Sequence, residues 1–207
     1  MWILGGVQRP ALDDATFPDV LVRALEGDRS AAEQLFVDLQ PRLLRYLRSL
    51  EPSAADDIAS ETWYSIARGL GSFRGDLAGF RSWSFSIARR RLIDHRRIAA
   101  RRPVAFESLD DTAGVMLMGR SDDAADTALD HLSGQGAADT IARHLPPEQA
   151  EVVLLRVLGD LDVTEVAEVM GRSANWVRVN QHRALRRLAE KFGEGVIPAG
   201  DPTISLA

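Results

Sequence analysis

The 207-residue chain contains no cysteine, and its four histidines are scattered along the sequence. The lack of cysteine excludes a disulfide framework, thiol catalysis and cysteine-based zinc sites. No apolar run is long enough to cross a membrane, and the first residues lack the basic and apolar regions of a signal peptide. We therefore expect a cytoplasmic protein with no bound metal, no cofactor and no membrane insertion.

Lysine is nearly absent as well, because Lys191 is the only lysine among 25 basic residues. The planar guanidinium of arginine matches phosphates and base edges better than an ammonium group does. A GC-rich genome produces the same bias toward arginine, so both explanations stay open. The net charge of −5 would argue against nucleic-acid binding, but this total conceals segments of opposite charge.

Charge is distributed unevenly along the chain. Residues 104–136 carry one arginine against seven acidic residues, whereas residues 89–102 carry seven arginines against one aspartate. Residues 139–168 are again acidic, and residues 172–191 are basic. Residues 13–61 carry 11 acidic residues against five arginines. Each domain therefore has an acidic first half and ends in a basic segment predicted to be helical. A basic helix is typical of phosphate binding, although a solvated helix face has the same composition.

Apolar residues recur at helical spacing nearly throughout, and no segment alternates convincingly as a strand. The spacing predicts helices over 17–27, 30–50, 53–70 and about 80–101, with Asp28 or Ser30 as the N-cap of the second. In the last of them, Phe80, Trp83, Ile87 and Leu92 share one side, and the arginines share the other.

We expect an all-α protein of two small helical domains joined by an acidic, flexible linker. A loop-rich part of a single domain is the alternative to a linker. The predicted boundaries are an N-terminal extension at 1–16, a first domain at 17–102, the linker at 103–136, a second domain at 137–192 and a disordered tail at 193–207.

The most specific local motif is VTEVAEVMGRSANWVRVNQH at residues 163–182. Ala167, Gly171 and Val177 supply a small residue, a turn residue and a branched apolar anchor at the spacing of a helix-turn-helix unit. Ser173 is a natural N-cap for its second helix. Asn180 stands where an apolar residue is usual, and an unrelated helical hairpin is the alternative.

The second helix of such a unit enters the major groove of DNA. A helical wheel directs Val177, Gln181, Ala184 and Leu188 toward the core. Of the remaining residues, His182 is either a base reader or an ordinary surface histidine. The candidate DNA-binding residues of this helix are Asn175, Trp176, Arg178, Val179, His182, Arg183 and Arg186.

Three motifs in order resemble the sigma factors of bacterial RNA polymerase. They are ADDIASETW at 55–63, FRGDLAGFRSWSFSIARRRLIDHRR at 73–97 and HRALRRL at 182–188. The closest group is that of the compact, two-domain extracytoplasmic-function (ECF) sigma factors. The loop before Trp83 is one residue longer than is usual there, Arg90 replaces a common asparagine, and Val179 replaces a small polar residue.

This resemblance implies a promoter-specificity subunit that has no catalytic activity. Its first domain would be sigma region 2 and its second would be sigma region 4, which reads the −35 element. The implied partners are core RNA polymerase, promoter DNA (duplex at −35, single-stranded at −10) and an anti-sigma factor. The linker would run toward the RNA exit channel. The residues implied in binding and melting the −10 element are Phe73, Arg74, Phe80, Arg81, Trp83, Arg89, Arg90 and Arg97. Those implied in binding core polymerase are Asp56, Asp57, Ile58, Glu61, Thr62 and Trp63.

Two other functions are consistent with parts of the sequence. A dimeric regulator of duplex DNA would use residues 150–191 behind a helical sensor domain, but it has no need of the motif at 73–97. A nuclease or recombinase would need a carboxylate cluster, for which Asp56, Asp57 and Glu61 are the candidates. Trp83 is as consistent with helix packing as with DNA contact.

Overall fold

The computed structural model describes residues 12–101 and 136–192, and all regular structure in these ranges is helical. This confirms the all-α prediction. The predicted linker (except residue 136), the tail and residues 1–11 lie outside the described residues. The first domain contains α1 (Phe17–Leu25), α2 (Arg29–Leu50), α3 (Ala55–Gly69) and α4 (Leu77–Arg101); the second contains α5 (136–144), α6 (Pro147–Leu158), α7 (Val163–Met170) and α8 (Ala174–Phe192).

The N-cap of α2 is Asp28, one of the two predicted candidates. Its carboxylate accepts hydrogen bonds from the backbone N–H groups of Ser30, at 2.8 Å, and Ala31, at 3.3 Å. The Arg23 guanidinium and these backbone donors hold the pKa of Asp28 below its usual value. The cap satisfies two of the four N–H groups that the first helical turn leaves without partners.

Two helix starts differ from the prediction. Pro52–Ala54 form a 3₁₀ turn, so α3 begins at Ala55 rather than at Ser53. Helix α4 begins at Leu77, three residues before the predicted Phe80, because Asp76 acts as its cap. The Asp76 carboxylate accepts from the N–H of Gly79 at 2.8 Å, and its carbonyl oxygen accepts from the N–H of Phe80.

Helical spacing identified most of the first domain's core. On α2 the residues at helical spacing are Ala31, Leu35, Leu39, Leu43 and Leu47, which are buried, and Leu50, which is half-buried. On α4, Phe80 and Leu92 are buried, whereas Trp83 and Ile87 are half-buried. The buried face of α4 also includes Phe85 and Ala88, and it includes Arg81, which the prediction placed on the basic side.

The helix-turn-helix unit is formed by α7 and α8. The Asp162 side chain accepts from the Glu165 N–H while the Glu165 side chain accepts from the Asp162 N–H, which is a capping box. Gly171 ends α7 in the left-handed conformation at φ 64°. The Ser173 hydroxyl accepts from the Trp176 N–H at 3.2 Å, which confirms its predicted role as the cap of α8.

The two domains pack against each other. Helix α7 lies on α4, and α6 lies on α2. Buried side chains from both domains form a single hydrophobic cluster that extends from Phe17 in α1 to Val177 in α8. The first domain's basic helix is therefore covered in part by the helix-turn-helix unit.

The turn glycine offers a test of the second domain's fold. A Cβ at Gly171 would meet no atom within 4 Å, so Gly171→Ala changes only the backbone energy. At φ 64° an alanine costs about 1 kcal/mol in free energy of unfolding. Gly71→Ala is the control, because Gly71 has equal space and no positive φ. Urea denaturation should show the loss for Gly171→Ala alone; equal stability of the two variants would contradict the left-handed turn.

Candidate nucleic-acid and polymerase interfaces

The outer face of α8 carries the residues predicted to contact DNA. Asn175, Arg178, Val179, His182, Arg183 and Arg186 are all exposed, while Val177, Asn180 and Ala184 are buried against the domain. Gln181 and Leu188 are half-buried. Arg186 pairs with Glu190 at 3.3 Å, whereas Arg178 forms no ion pair within the described residues. The outer face of α8 is therefore exposed, mostly polar and cationic.

Trp176 differs from the other predicted residues of α8 because it is half-buried at the turn. The Arg172 guanidinium lies 5.3 Å from the centre of its ring and pairs with Glu148 of α6 at 3.1 Å. The buried Asn180 amide donates to the Trp176 carbonyl oxygen at 2.9 Å, which explains a polar residue at an apolar position. Trp176 thus anchors the turn between α7 and α8.

The segment before α4 forms an open cleft of about 580 Å³. Trp83 lies at its wall, and the Trp83 ring centre is 5.2 Å from that of Phe73 and 6.2 Å from that of Phe80. Gly75 has a φ of 152°, which an L side chain rarely adopts. The cleft is lined by Ser72, Phe73, Arg74, Asp76, Gly79, Ser82, Trp83, Ser86, Glu165 and Glu168.

The predicted −10 residues occupy three different environments. Arg74, Arg90 and Arg97 are exposed, and Trp83 and Arg89 are half-buried. Phe73, Phe80 and Arg81 are buried, and the two phenylalanines pack with Phe17 of α1. Phe80 therefore supports the cleft from within. Arg81 is held by Asp38 of α2, whose two carboxylate oxygens lie 3.0 and 3.2 Å from guanidinium nitrogens.

The predicted polymerase-binding residues divide between two faces of α3. Asp57 and Glu61 are exposed one turn apart. Ile58 and Thr62 are buried, and the Thr62 hydroxyl donates to the Ile58 carbonyl at 2.7 Å. Asp56 is exposed and pairs with Arg48 at 3.1 Å. Among the described residues, Asp57 and Glu61 form no ion pair, so of the predicted set they are the acidic groups that can meet a basic partner.

Trp63 contacts two residues of α2 that the sequence analysis did not identify as its partners. The Phe36 ring, itself 43% exposed, lies 4.9 Å from the Trp63 ring, and the Gln40 side chain accepts a hydrogen bond from the indole N–H. Phe36 and Gln40 are four residues apart on α2, so their helical spacing was the only available signal. Trp63 thus forms an aromatic and hydrogen-bonded contact between α3 and α2.

Within the ranges 12–101 and 136–192, no three histidine or acidic side chains cluster as metal ligands would. In the same ranges, no helix has the length and apolar character needed to cross a membrane.

Family models match both domains. Sigma-70 region 2 matches residues 35–102, and sigma-70, region 4, matches residues 135–188. Among curated proteins, the ECF RNA polymerase sigma factor BldN of Streptomyces coelicolor is 32% identical over 188 residues, which cover 88% of this chain and 69% of BldN. ShbA of Streptomyces griseus, also an ECF RNA polymerase sigma factor, is 34% identical over 188 residues, covering 85% of this chain and 95% of ShbA.

A solved structure of CnrH in complex with the cytosolic domain of CnrY shares the fold, with a TM-score of 0.54 at 20% identity over 84% of this chain and 94% of CnrH. The family assignment itself comes from the two matched regions and the curated relatives. The chain belongs to the sigma-70 family, in its ECF group, and is a non-catalytic subunit that directs RNA polymerase in transcription initiation.

Proposed function

We propose that the described helices divide promoter recognition among three surfaces. Helix α8 reads the −35 element as duplex, the cleft and basic face of α4 hold the −10 element, and the outer face of α3 docks on core polymerase. The corresponding domains are region 2 over residues 17–102 and region 4 over residues 137–192. Residues 1–16, 103–136 and 193–207 would serve as extension, linker and tail.

The observation that carries this proposal is the exposed row of polar and cationic side chains along α8. A helix-turn-helix places the N-terminal half of its second helix in the major groove, where arginine reads guanine and asparagine reads adenine. Asn175 and Arg178 lie in that half, and Arg186 lies two turns beyond Arg178. The early residues are thus placed for base edges and the later ones for phosphates.

The cleft before α4 suits a base taken out of the stack. A flipped base requires a closely fitting loop and an aromatic or cationic surface that replaces its lost stacking energy. Trp83 supplies an aromatic wall, and the glycine-containing segment from Ser72 to Gly79, which includes the first turn of α4, supplies the enclosure. The exposed Arg90 and Arg97 would then contact the backbone of the separating strands.

The α3 surface suits a basic partner, because Asp57 and Glu61 are exposed acidic side chains one turn apart. Charges of this kind steer the association of two proteins. We assign this surface to core polymerase.

An anti-sigma factor is a further partner under this proposal. CnrH, which shares the fold, was solved in complex with the cytosolic domain of CnrY. By the same reasoning the chain acts in the cytoplasm, where its polymerase partner acts.

Reversal of two acidic charges tests the polymerase surface. Asp57→Arg with Glu61→Arg should weaken binding of the chain to core polymerase about tenfold or more, because like charges would face each other across the interface. Asp14→Arg with Glu26→Arg is the matched control, since both residues are exposed acids outside the proposed surface. Fluorescence anisotropy with labelled chain measures the affinity. Equal affinity of the two double variants would remove α3 from the interface.

Two arginines of α8 test the distinction between base reading and phosphate contact. Arg178→Ala should cost roughly 1–3 kcal/mol on the cognate −35 sequence and much less on a scrambled one. Arg186→Ala should weaken binding to both sequences equally and lower the salt dependence by about one counterion. Holoenzyme binding to matched and scrambled promoters at several salt concentrations measures both effects. An equal loss for Arg178→Ala on the two sequences would make Arg178 a backbone contact.

A further inference from the structure

Two apolar side chains interrupt the polar outer face of α8. Val179 is 38% exposed, although it lies in the row of residues that the proposed function assigns to the −35 element. The half-buried Trp176 lies one turn before it, at the edge of the same face. Side chains three positions apart on a helix are neighbours. Trp176 and Val179 therefore form one apolar patch, which we call the apolar patch of α8.

The apolar patch lies among the polar side chains that are placed for base edges. Asn175 and Arg178 each precede one of its two members in the sequence, and all four residues belong to the first third of α8. The N-terminal part of such a helix is the part that enters the major groove. Val179 therefore faces base edges when α8 lies in the groove, and the Trp176 indole lies beside it at the edge of the contact.

Both members of the patch are held in fixed positions. The Arg172 guanidinium, paired with Glu148 at 3.1 Å, lies 5.3 Å from the centre of the Trp176 ring. The Asn180 amide donates to the Trp176 carbonyl oxygen at 2.9 Å. Val179 is β-branched, and such a side chain has one strongly preferred rotamer on a helix. A rigid apolar surface loses little conformational entropy on binding, so it can discriminate between bases by shape and polarity.

The edges of the bases offer one apolar group in the major groove, the C5 methyl group of thymine. The other groups at these edges are hydrogen-bond donors and acceptors. Such a group would give up its water against the apolar patch without gaining a hydrogen bond, and this loss costs free energy. The patch therefore favours thymine through contact with its methyl group and disfavours the other bases through desolvation.

We propose that the apolar patch of α8 determines specificity for thymine in the −35 element, with Val179 in direct contact with the C5 methyl group. Trp176 acts as a positioning residue that packs beside this contact and excludes water from it. This inference rests on the proposed function, in which α8 reads the −35 element as duplex. Asn175 and Arg178 supply the polar part of the readout, and the apolar patch supplies the rest.

Removal of the methyl group from the DNA tests the contact without any change to the protein. Holoenzyme is first used to select its preferred sequence from promoter duplexes with a randomised −35 segment and a constant −10 segment. We expect the selected −35 sequence to contain thymine. The same sequence is then made with deoxyuridine in the −35 segment alone, which removes only the C5 methyl groups. Affinity should fall about fourfold for each contacted methyl group, as expected for one buried methyl.

Substitution of Val179 tests the protein side of the same contact. Val179→Ser removes the apolar methyl groups at constant net charge, so its affinity for a scrambled −35 segment should not change. It should bind the thymine and uracil duplexes equally, because the partner of the thymine methyl group is gone. Val157→Ser is the matched control, since Val157 is a 55% exposed valine of the same domain that lies on α6. The control should keep the fourfold preference for thymine.

The ratio of the two affinities also separates positioning by Trp176 from a purely structural role. Trp176→Leu should lower the thymine-to-uracil ratio toward one. A structural role alone would lower the affinity for both duplexes and leave their ratio unchanged, which would overturn the positioning assignment.

Three results would overturn the proposal as a whole. They are a selected −35 sequence without thymine, equal affinity of the parent holoenzyme for the two duplexes, and a Val179→Ser variant that keeps the preference for thymine. If Arg178→Ala still loses affinity on the selected sequence, the proposed function of α8 stands and only the methyl contact is wrong. If no substitution on α8 changes promoter binding, the proposed function itself fails.

Discussion

The charge of Glu151, whose side chain is 14% exposed, is the constraint on which the relation of the two domains depends. A carboxylate removed from water must keep its hydrogen-bonding partners, since the loss of one leaves an uncompensated charge. Both partners of Glu151, Tyr46 and Arg89, belong to the other domain. The hydrophobic core continues across the same boundary, where a Cβ at Gly159 would approach the Phe85 ring to 3.3 Å. Polar and apolar contacts therefore lie side by side at the boundary between the two domains.

This arrangement gives the helices of the helix-turn-helix unit different tasks. Helix α8 directs its cations outward, as a DNA reader requires, and α7 directs its carboxylates toward α4. This arrangement explains the uneven distribution of charge along the chain. The acidic segment of the second domain contains the groups that face the basic helix of the first, and its basic segment remains available for the promoter.

Helical periodicity sufficed to predict the helices of the first domain and the helix-turn-helix unit, because the apolar spacing of α2 and the anchors Ala167 and Val177 follow from sequence alone. It misplaced Arg81, whose burial depends on Asp38 and Asp160, two residues that no local pattern connects to it. It also missed Phe36 and Gln40 as neighbours of Trp63. Such contacts depend on how the helices pack, and the periodicity of a single helix does not predict contacts between residues that are far apart in the sequence. Phe73 and Phe80, which the resemblance assigned to the −10 element, are both buried: Phe73 lines the cleft, and Phe80 packs behind it.

The central claim is that the face of α4 that packs on α7 in this structure holds the −10 element in the transcription complex. The most direct measurement places a photoreactive benzoylphenylalanine at Ser86, which borders both spaces between α4 and α7. In the free chain the account predicts an intramolecular crosslink to α7, and in the promoter complex it predicts a crosslink to the non-template strand instead. The same crosslink to α7 in both states would contradict it.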